Sequence, residues 1–479
     1  MAVFVSLGLD FSPSNFQEGE AHPERAVTAY LPFDLPTGPT RHKVFAHYVP
    51  NFPISIDNMD GGSDYYQLQY LSPEGEEGIH AGYGGLLRDR PLPRQRMDRP
   101  DWQIEDFETE IGQAKSVGID GFAIDVIKPR AESDVVANLL TAAARNGNFD
   151  ILVTADISGP LSGLSAEEFV ADMSTYLDAP AAYRLPDGRP VLGAFAAERR
   201  DPGWWAAVLE ALAVKMHTSI AFVPIFVDVA DNIAGYASIS YGFSAWGGRS
   251  PRGMSPSDRA RGSPRDLINQ AHLHGKIWMQ SVPFQDNRPR IGTFEESLNG
   301  MTNRMAWQLA IEAGAEWVQL ITWNDYAEST AMAPSVAHGW RMLDLNAYDI
   351  ATFKWRERPR ITRDAVFASY RIQPVAALPE YPETMLMRPV PDASEPRDAI
   401  EVVSFATAPA RVEIDAGDQQ TSCFAAPGRG TCVAPLRPGS FTVTMARGGA
   451  VVASAQAAVP VSNHPFVQDL QYRLVGGLR

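Results

Sequence analysis

The sequence is poor in the residues that usually hold metals or build disulfide frameworks. Its 479 residues include two cysteines, Cys423 and Cys432, in one Gly/Pro-rich stretch near the C-terminal end. The nine histidines include no His-x-x-x-His pair and no His-Glu-x-x-His motif, which argues against a zinc site. The cysteines have two interpretations: they bridge a hairpin, which would imply export, or they are two reduced thiols.

Long apolar runs and an excess of positive charge are also missing. No run approaches the roughly 18 apolar residues of a membrane span, and the formal net charge is -16. This charge disfavours nucleic acids, anionic polysaccharides and membrane surfaces as partners, because no basic stripe neutralises their negative groups. A neutral partner fits best. The N-terminus lacks a basic region and its apolar stretch stops at Asp10, so the chain shows no convincing signal peptide.

Several motifs of well-known enzyme classes are absent. The sequence has no Gly-x-Ser-x-Gly nucleophile elbow, no phosphate loop of the Gly-x-x-x-x-Gly-Lys type and no dinucleotide-binding fingerprint. Nucleophilic serine chemistry, nucleotide hydrolysis and hydride transfer therefore have no support. What remains is chemistry by carboxylates, without a metal or another cofactor.

Short apolar runs alternate with helical segments through most of the chain. Strands that alternate with helices pair in parallel through right-handed crossovers, and eight such units predict a closed (β/α)8 TIM barrel in the α/β class. The eight predicted strands cover residues 44–49, 121–126, 151–155, 191–195, 221–226, 237–241, 276–281 and 318–322. The predicted helices cover residues 102–116, 131–145, 165–177, 204–216, 264–274 and 294–313.

The composition changes along the chain and predicts four regions. Residues 1–40 are rich in Pro, Gly and charge and are predicted to form an irregular arm, and residues 41–372 to form the barrel. Residues 373–398 contain six prolines, which restrict the backbone, and this composition predicts a stiff connector. Residues 399–479 contain short β-branched runs spaced by Gly and Pro, which predict a small β-sandwich.

The eighth predicted strand runs directly into Trp323, Asn324, Asp325, Tyr326 and Glu328. In parallel barrels the carboxyl ends of the strands carry the chemistry, and glycosidic bond cleavage needs one carboxylic acid and one carboxylate. We predict Asp325 and Glu328 as the catalytic pair, with Glu328 as general acid and Asp325 as general base. Trp323 and Asn324 are predicted to orient the sugar. Because extended residues three apart face opposite ways, the backbone must turn after Trp323.

Polar or aromatic residues follow most of the other predicted strands, and we predict that they bind substrate in the same pocket. They are His47, Tyr48, Asp125, Asp156, Glu198, Tyr241, Trp246 and Gln280. Structural alternatives exist for several of them. Asp125 and Asp156 also suit helix N-caps, and His47 also suits a hydrogen-bonded core position. Glu198 also suits a surface ion pair, and Trp246 also suits packing.

An insert at residues 50–101 separates the first two predicted strands and is rich in turn-forming residues. A loop of this length in a compact domain is usually functional. Tyr65, Tyr66 and Tyr83 of the insert, together with Trp246, are predicted to line an open groove. Aromatic faces stack on sugars at little entropic cost, and cleavage inside a long chain requires a groove that is open on both sides.

Three segments of the chain resemble glycoside hydrolase family 71, the endo-α-1,3-glucanases or mutanases. They are Ile321-Thr-Trp-Asn-Asp-Tyr-Ala-Glu-Ser329, Val44-Phe-Ala-His-Tyr-Val49 and Lys115-Ser-Val-Gly-Ile-Asp-Gly-Phe-Ala-Ile124. The likeness covers about residues 40–372. The chain departs from the family pattern at Ala327, where Gly is common, and at Asp125, where Asn is expected.

The resemblance implies a (β/α)8 barrel followed by a β-sandwich, no metal, secretion, and an inverting mechanism with Asp325 and Glu328 as the catalytic pair. The substrate, the neutral polysaccharide α-1,3-glucan, follows from the resemblance alone. Two other hypotheses stay open: an endo-glycosidase for another linkage, such as the endo-mannosidase type, and a non-catalytic carbohydrate-binding protein. The presence of both acids argues against the second, because degenerate relatives usually lose one of them.

Overall fold

A computed structural model of the chain describes residues 24–38, 40–391 and 393–479. The strands of these residues are β1 (Glu24–Val27), β2 (Asp34–Thr37), β3 (Lys43–Tyr48), β4 (Gly121–Val126), β5 (Asp150–Asp156), β6 (Val191–Phe195), β7 (Ala221–Phe226), β8 (Gly242–Ala245), β9 (Ile277–Pro283), β10 (Asp286–Arg288), β11 (Thr293–Glu295), β12 (Trp317–Ile321), β13 (Ala365–Tyr370), β14 (Arg388–Pro389), β15 (Ala399–Ala406), β16 (Ala410–Ala416), β17 (Gln419–Ala425), β18 (Gly428–Pro435), β19 (Phe441–Arg447), β20 (Ala450–Gln456) and β21 (Arg473–Gly476).

The α-helices are α1 (Tyr65–Gln69), α2 (Trp102–Lys115), α3 (Val135–Asn146), α4 (Ala166–Leu177), α5 (Pro202–Met216), α6 (Ile233–Tyr236), α7 (Pro264–Leu273), α8 (Met301–Glu312) and α9 (Arg341–Trp355). Most of the predicted arm, including the stretch up to Asp10, lies outside the described residues. Its described part forms the antiparallel hairpin β1–β2. None of the described helices has both the length and the apolar character needed to cross a membrane.

Eight parallel strands close into a barrel in the order β12-β3-β4-β5-β6-β7-β8-β9, as the sequence predicts. Seven of the predicted strands match to within two residues, but the sixth is wrong. Residues 237–241 form the turn after α6, and the strand is β8, which begins at Gly242. A Cβ atom at Gly242 would lie 2.3 Å from Ile277 Cγ1, so β8 approaches β9 too closely for a larger residue.

The barrel strands are apolar on both faces, because one face packs inside the barrel and the other packs against the helices. Phe45, Leu152 and Met279 belong to the cluster inside the barrel. Their neighbours Val44 and Ile151 belong to the larger cluster between strands and helices. Side chains alternate between the two faces along each strand. A residue at a strand end therefore reaches the barrel mouth only if its side chain lies on the inward face of the strand. We say that such a residue has the inward parity.

The helices around the barrel begin at local sequence signals. Ser165 and Glu168 form a capping box at the start of α4, in which each side chain bonds the other residue's backbone N–H. Asp201 accepts hydrogen bonds from the N–H groups of Gly203 and Trp204, and Pro202 occupies the first turn of α5. The helical spacing of the sequence predicts these segments well because both the apolar stripe and the cap are local.

The C-terminal region is a sandwich of two four-stranded antiparallel sheets, in the orders β18-β15-β13-β21 and β17-β16-β19-β20. Val402, Ile414 and Val443 are fully buried between them. One of its strands, β13, lies within the predicted barrel region 41–372 and pairs with β15 and β21. The predicted boundary at residue 372 therefore falls after a strand of the sandwich.

The Pro-rich segment 373–398 packs against the loops of the barrel. In this segment β14 pairs with β11 in parallel. The N–H groups of Thr384 and Met385 donate to the carbonyl oxygen of Gly82, in the long insert. The Glu383 carboxylate accepts a hydrogen bond of 2.7 Å from the N–H of Gln468. The segment thus joins the insert, the β10–β11 hairpin and the C-terminal end of the chain, in addition to its predicted place between barrel and sandwich.

Cys423 on β17 and Cys432 on β18 form a disulfide that links the two sheets of the sandwich. Of the two interpretations left open by the sequence, the structure has the bridge.

The double variant Cys423→Ser/Cys432→Ser is expected to lose about 2–3 kcal/mol of sandwich stability. The two residues are 9 positions apart, and closing a loop of this size removes that much chain entropy from the unfolded state. Urea unfolding of both proteins, with and without reductant, measures the effect. Reductant should lower the urea midpoint of the wild type and leave the midpoint of the variant unchanged. Equal midpoints under oxidising conditions would contradict the prediction.

Candidate active site

The chain turns back on itself directly after β12, as the sequence predicts. The N–H of Asp325 donates to Thr322 Oγ1 at 2.8 Å, and the N–H of Glu328 donates to Asp325 Oδ1 at 3.0 Å. The N–H of Thr330 donates to the carbonyl oxygen of Asp325 at 3.1 Å, which closes the turn. We call residues 322–330 the catalytic turn, because they contain the two acids that the sequence predicts as the catalytic pair. It places Asp325 and Glu328 on one short loop at the carboxyl end of the barrel.

An arginine of β10 pairs with the second acid of this turn. Arg288 Nη2 lies 2.8 Å from Glu328 Oε2. The same guanidinium donates to both carboxylate oxygens of Asp286, at 2.7 and 2.6 Å. The N–H of Asn287 donates to the carbonyl oxygen of Glu328 at 2.8 Å, so β10 is fastened to the catalytic turn. Two acids therefore compete for one guanidinium.

Asp286, Arg288 and the neighbouring Arg249 are site residues that the sequence analysis missed. A signal existed, because the polar run Asp286-Asn-Arg288 follows the seventh barrel strand in the way that the other candidates follow theirs. The strand was predicted to end at residue 281, whereas β9 continues to Pro283.

Both acids of the catalytic turn hold protons more tightly than usual. Burial raises the pKa of Asp325 to about 6. Burial and the charge of Asp325 raise the pKa of Glu328 to about 8. Arg288 opposes the rise at Glu328, but its charge is shared with Asp286, so burial prevails. Glu328 still exposes 29% of its side-chain surface, which leaves it accessible to a substrate. Both shifts are upward and the larger one is at Glu328, so Glu328 is the better proton donor of the two.

Four predicted residues do meet at the mouth of the barrel: His47, Asp125, Asp156 and Trp246. His47 Nδ1 lies 2.7 Å from Gln319 Nε2, and His47 Nε2 lies 3.8 Å from Asp125 Oδ2. The rings of His47 and Trp246 are 4.8 Å apart. Burial and, after it, the charge of Asp125 raise the pKa of Asp156. All four have the inward parity.

Tyr48 and Trp323 face away from the mouth, and the prediction that they contact substrate there is wrong. Tyr48 has the outward parity, and its hydroxyl donates to Glu110 Oε2 on α2 at 2.7 Å. Trp323 is fully buried, with its ring 4.9 Å from that of Phe122 in the layer between strands and helices. Burial raises the pKa of Glu110 to about 7. Tyr48 and Trp323 therefore pack between the barrel strands and the helices and do not line the mouth.

Asn324 and Gln280 use their amides within the protein. Asn324 Oδ1 accepts from the N–H of Val49, and its Nδ2 donates to the carbonyl oxygen of the same residue, at 2.8 and 2.9 Å. This clamp ties the catalytic turn to the end of β3. Gln280 has the outward parity, accepts from Trp278 Nε1 and donates to the carbonyl oxygen of Ser281. Neither amide is placed to orient a sugar, which corrects the prediction.

Glu198 and Tyr241 also differ from the prediction. Glu198 Oε1 accepts from the N–H groups of Val227 and Asp228, so it holds the loop after β7. Tyr241 precedes β8, and its ring lies 5.9 Å from that of Trp317, the first residue of β12. Tyr241 is therefore at the amino end of the barrel, opposite to the catalytic turn. The error follows from the misplaced sixth strand.

The long insert packs on the catalytic turn. Tyr66 is fully buried, donates to the carbonyl oxygen of Pro53 at 2.8 Å, and has its ring 5.7 Å from that of Tyr326. It is a packing residue, and its predicted place in a groove is wrong. Tyr65 and Tyr83 are partly exposed, so their role in a groove stays a prediction.

Two cavities differ in what they offer. One of about 510 Å³ lies on the outer surface between α3 and α4 and contains none of the residues above. The other, of about 260 Å³, is lined in part by Trp246 and by Arg288, the residue that pairs with Glu328. Among the residues that the structure describes, no group of three or more His, Cys, Asp or Glu side chains is placed to hold a metal ion.

Comparison with known proteins gives matches in sequence and in fold. A sequence model of glycosyl hydrolase family 71 matches residues 97–471. A mutanase of Penicillium rubens is 24% identical over 393 residues, which are 76% of this chain and 83% of that protein. A glucan endo-1,3-alpha-glucosidase of Schizosaccharomyces pombe is 24% identical over 383 residues, which are 74% of this chain and 86% of that protein.

Among solved structures, the GH99 endo-alpha-mannosidase from Bacteroides thetaiotaomicron matches with a TM-score of 0.50 and 18% identity. The match covers 66% of this chain and 99% of that one. At this identity it shows the fold alone, in agreement with the closed barrel described above.

Proposed function

Because the chain belongs to glycosyl hydrolase family 71, we propose that it is an endo-acting hydrolase that cleaves the α-1,3-glucosidic bonds of α-1,3-glucan. The family match confirms the resemblance inferred from the sequence. The observation that carries the proposal is the carboxyl pair on the catalytic turn, where the N–H of Glu328 donates to Asp325 Oδ1 at 3.0 Å and Arg288 Nη2 lies 2.8 Å from Glu328 Oε2. The substrate linkage is supported by the matched relatives, a mutanase and an endo-1,3-alpha-glucosidase.

In the proposed mechanism Glu328 is the general acid and Asp325 the general base. Glu328 donates its proton to the glycosidic oxygen as the bond to the anomeric carbon breaks. Asp325 takes a proton from a water whose oxygen attacks that carbon from the opposite face, so the anomeric configuration inverts. Arg288 steadies Glu328 once it becomes an anion, because the guanidinium already lies 2.8 Å from its carboxylate.

We further propose that four residues bind the sugar unit that contributes the anomeric carbon to the cleaved bond. They are His47, Asp125, Asp156 and Trp246. Of the predicted residues, these four have the inward parity and lie at the mouth of the barrel. Asp125 Oδ1 has no hydrogen-bond partner among the described residues, and a sugar hydroxyl at the mouth would supply one. Such bonds to a charged acceptor are worth about 1.5–3 kcal/mol.

The assay that tests the function measures reducing ends released from α-1,3-glucan and from a panel of other polysaccharides and α-mannosides. Release of oligosaccharides from α-1,3-glucan alone is the expected result, and proton NMR should detect the β-anomer of the product first. Cleavage of α-mannosides would favour the endo-mannosidase alternative. Binding without cleavage would favour a non-catalytic carbohydrate-binding protein. A first product with the α-anomer would contradict inversion.

The pH profile of kcat/KM should be bell-shaped, with limbs near pH 6 and pH 8. Activity is lost as the pH falls through about 6, because Asp325 then gains a proton and no longer acts as a base. Activity is lost as the pH rises through about 8, because Glu328 then loses the proton it must donate. The two limbs belong to the interacting pair. A profile that stays flat from pH 5 to pH 9 would contradict the assignment of both groups.

Secretion is part of the proposal. The Cys423–Cys432 disulfide supports it, because such bridges persist in oxidising compartments. Another relative, of which the match covers 54%, is named an ascus wall endo-1,3-alpha-glucanase of Schizosaccharomyces pombe. Fractionation of the producing cells, with activity measured in medium, wall and lysate, tests the location. Activity confined to the lysate would overturn it.

A further inference from the structure

The cavity of about 260 Å³ beside the catalytic turn lies between the loop after β8 and the β10–β11 hairpin. Its polar walls are Arg249, Asp286, Arg288 and Glu295, and its apolar walls include Ile291. Arg288 belongs both to this cavity and to the ion pair with Glu328, so the cavity adjoins the group that we assign as general acid. Its volume is below the usual range for drug-sized ligands, which suits a unit the size of one sugar ring.

Arg249 brings unused hydrogen-bond donors to this cavity. Its side chain is only 2% exposed. Nη1 donates to the carbonyl oxygens of Trp246 and Gly247, at 2.6 and 2.9 Å, and the guanidinium lies 5.1 Å from the centre of the Trp246 ring. Nε and Nη2 have no hydrogen-bond acceptor among the described residues, and Nε lies 3.7 Å from Asp286 Oδ2. A buried donor without an acceptor lowers the stability of the fold, and a ligand that accepts a hydrogen bond from it removes this cost.

The cavity also offers acceptors, and its charges nearly balance. Glu295 is half-buried, and one of its oxygens accepts from the N–H of Arg249 at 3.1 Å. Two guanidiniums face two carboxylates, so neither an anion nor a cation is strongly favoured over a neutral ligand. Sugar hydroxyls both donate and accept, and they suit a wall that mixes arginine with carboxylate.

We propose that this cavity is the subsite for the sugar unit on the leaving-group side of the cleaved bond, and that Arg249 Nε and Nη2 donate to its hydroxyl oxygens. The inference rests on the proposed function. The side is set by Glu328, because a general acid stands next to the leaving group that it protonates. Trp246 and the two carbonyl oxygens that bond Nη1 hold the guanidinium in place for this contact.

The test compares two substrates that differ only on the leaving-group side. An α-1,3-linked glucose oligosaccharide has a sugar there, whereas an α-1,3-oligosaccharyl α-fluoride of the same donor length has fluoride and does not use the subsite. Arg249→Met removes the donors. Ile291→Trp fills the cavity from its mouth, where Ile291 is 59% exposed, without removing a charge. Val214→Trp is the matched control, because Val214 is 71% exposed on α5.

Both cavity variants should lower kcat/KM on the oligosaccharide by about 10- to 100-fold, the value of one or two charged hydrogen bonds. Ile291→Trp should change it less than about twofold on the fluoride, and Val214→Trp should leave both substrates unchanged. The alkaline limb of the pH profile should keep its position in Ile291→Trp. If Arg249→Met does not fold, Ile291→Trp alone decides.

Three results would overturn the subsite. Equal losses on both substrates in Ile291→Trp would mean that the variant disturbs the donor side or the fold. A shifted alkaline limb in Ile291→Trp would mean that the cavity acts through Glu328. Unchanged kinetics on the oligosaccharide would mean that no sugar binds there. A wild-type protein that hydrolyses neither substrate would instead refute the proposed function, which is a separate outcome.

Discussion

Asp325→Asn and Glu328→Gln should each lower kcat on α-1,3-glucan by roughly 10²–10⁴-fold, the usual contribution of general acid–base catalysis. The amides keep the shape of the side chains but cannot exchange the proton that each step requires. Neither change should unfold the protein, because the turn is also closed by the backbone bond from Thr330 to Asp325. Reducing-end release at pH 7, together with circular dichroism and melting temperature, measures the effect.

An oligosaccharyl α-fluoride separates the roles of the two acids. Fluoride leaves without a proton from the enzyme, so Glu328→Gln should retain activity on this substrate while Asp325→Asn should not. Glu210→Gln and Asp418→Asn make the same chemical changes at exposed positions and should keep wild-type kinetics. If both catalytic variants retained near-full activity on the glucan, the pair would not be the catalytic pair. The reverse pattern on the fluoride would exchange the roles.

Arg371→Met should lower the free energy of unfolding by about 3–5 kcal/mol, the typical cost of removing one partner of a buried ion pair. Arg371 Nη2 lies 2.8 Å from Glu296 Oε2, and the two side chains are 2% and 0% exposed. Its Nε donates to the carbonyl oxygen of Leu470 at 2.7 Å, and its guanidinium lies 4.1 Å from the Tyr472 ring. Without Arg371, the buried Glu296 carboxylate keeps the Tyr472 hydroxyl and the N–H of Leu298 as hydrogen-bond donors among the described residues, and no cation pairs with it there.

Arg411→Met is the matched control for this prediction. Arg411 pairs with Glu413 at 3.0 Å, but its side chain is 63% exposed, so the loss should stay below about 1 kcal/mol. Urea unfolding of the two variants and the wild type, at the same pH and salt, gives the comparison. Equal midpoints for Arg371→Met and Arg411→Met would show that the buried pair does not stabilise the junction between barrel and sandwich.

Some features of the site follow from the sequence because they depend on local patterns. The alternation of apolar runs with helical segments predicts the barrel, and the polar run after the eighth strand predicts where the acids stand. The need for a turn between Asp325 and Glu328 follows from backbone geometry alone. The sandwich follows from β-branched runs punctuated by Gly and Pro.

Other features depend on which way a strand faces, and a shift of one residue reverses this. His47 and Tyr48 are adjacent and equally plausible as sugar ligands, yet His47 faces the mouth and Tyr48 bonds Glu110 on the far side. Tyr241 lies at the amino end of the barrel because β8 begins at Gly242, after the residues that the sequence predicts as the sixth strand. No single stretch of sequence contains the contacts that decide these placements.

The sequence by itself determined the class of fold, the type of chemistry and the place of the two acids that we propose as the catalytic pair, because periodicity and strand-end composition are properties of short segments. Only the tertiary structure decided that Arg288 pairs with Glu328, that Arg249 stands over a cavity beside it, and that β13 belongs to the sandwich. These contacts join segments that are distant in the chain. Their energies depend on burial and on distances that exist only once the barrel, the hairpin and the sandwich are packed together.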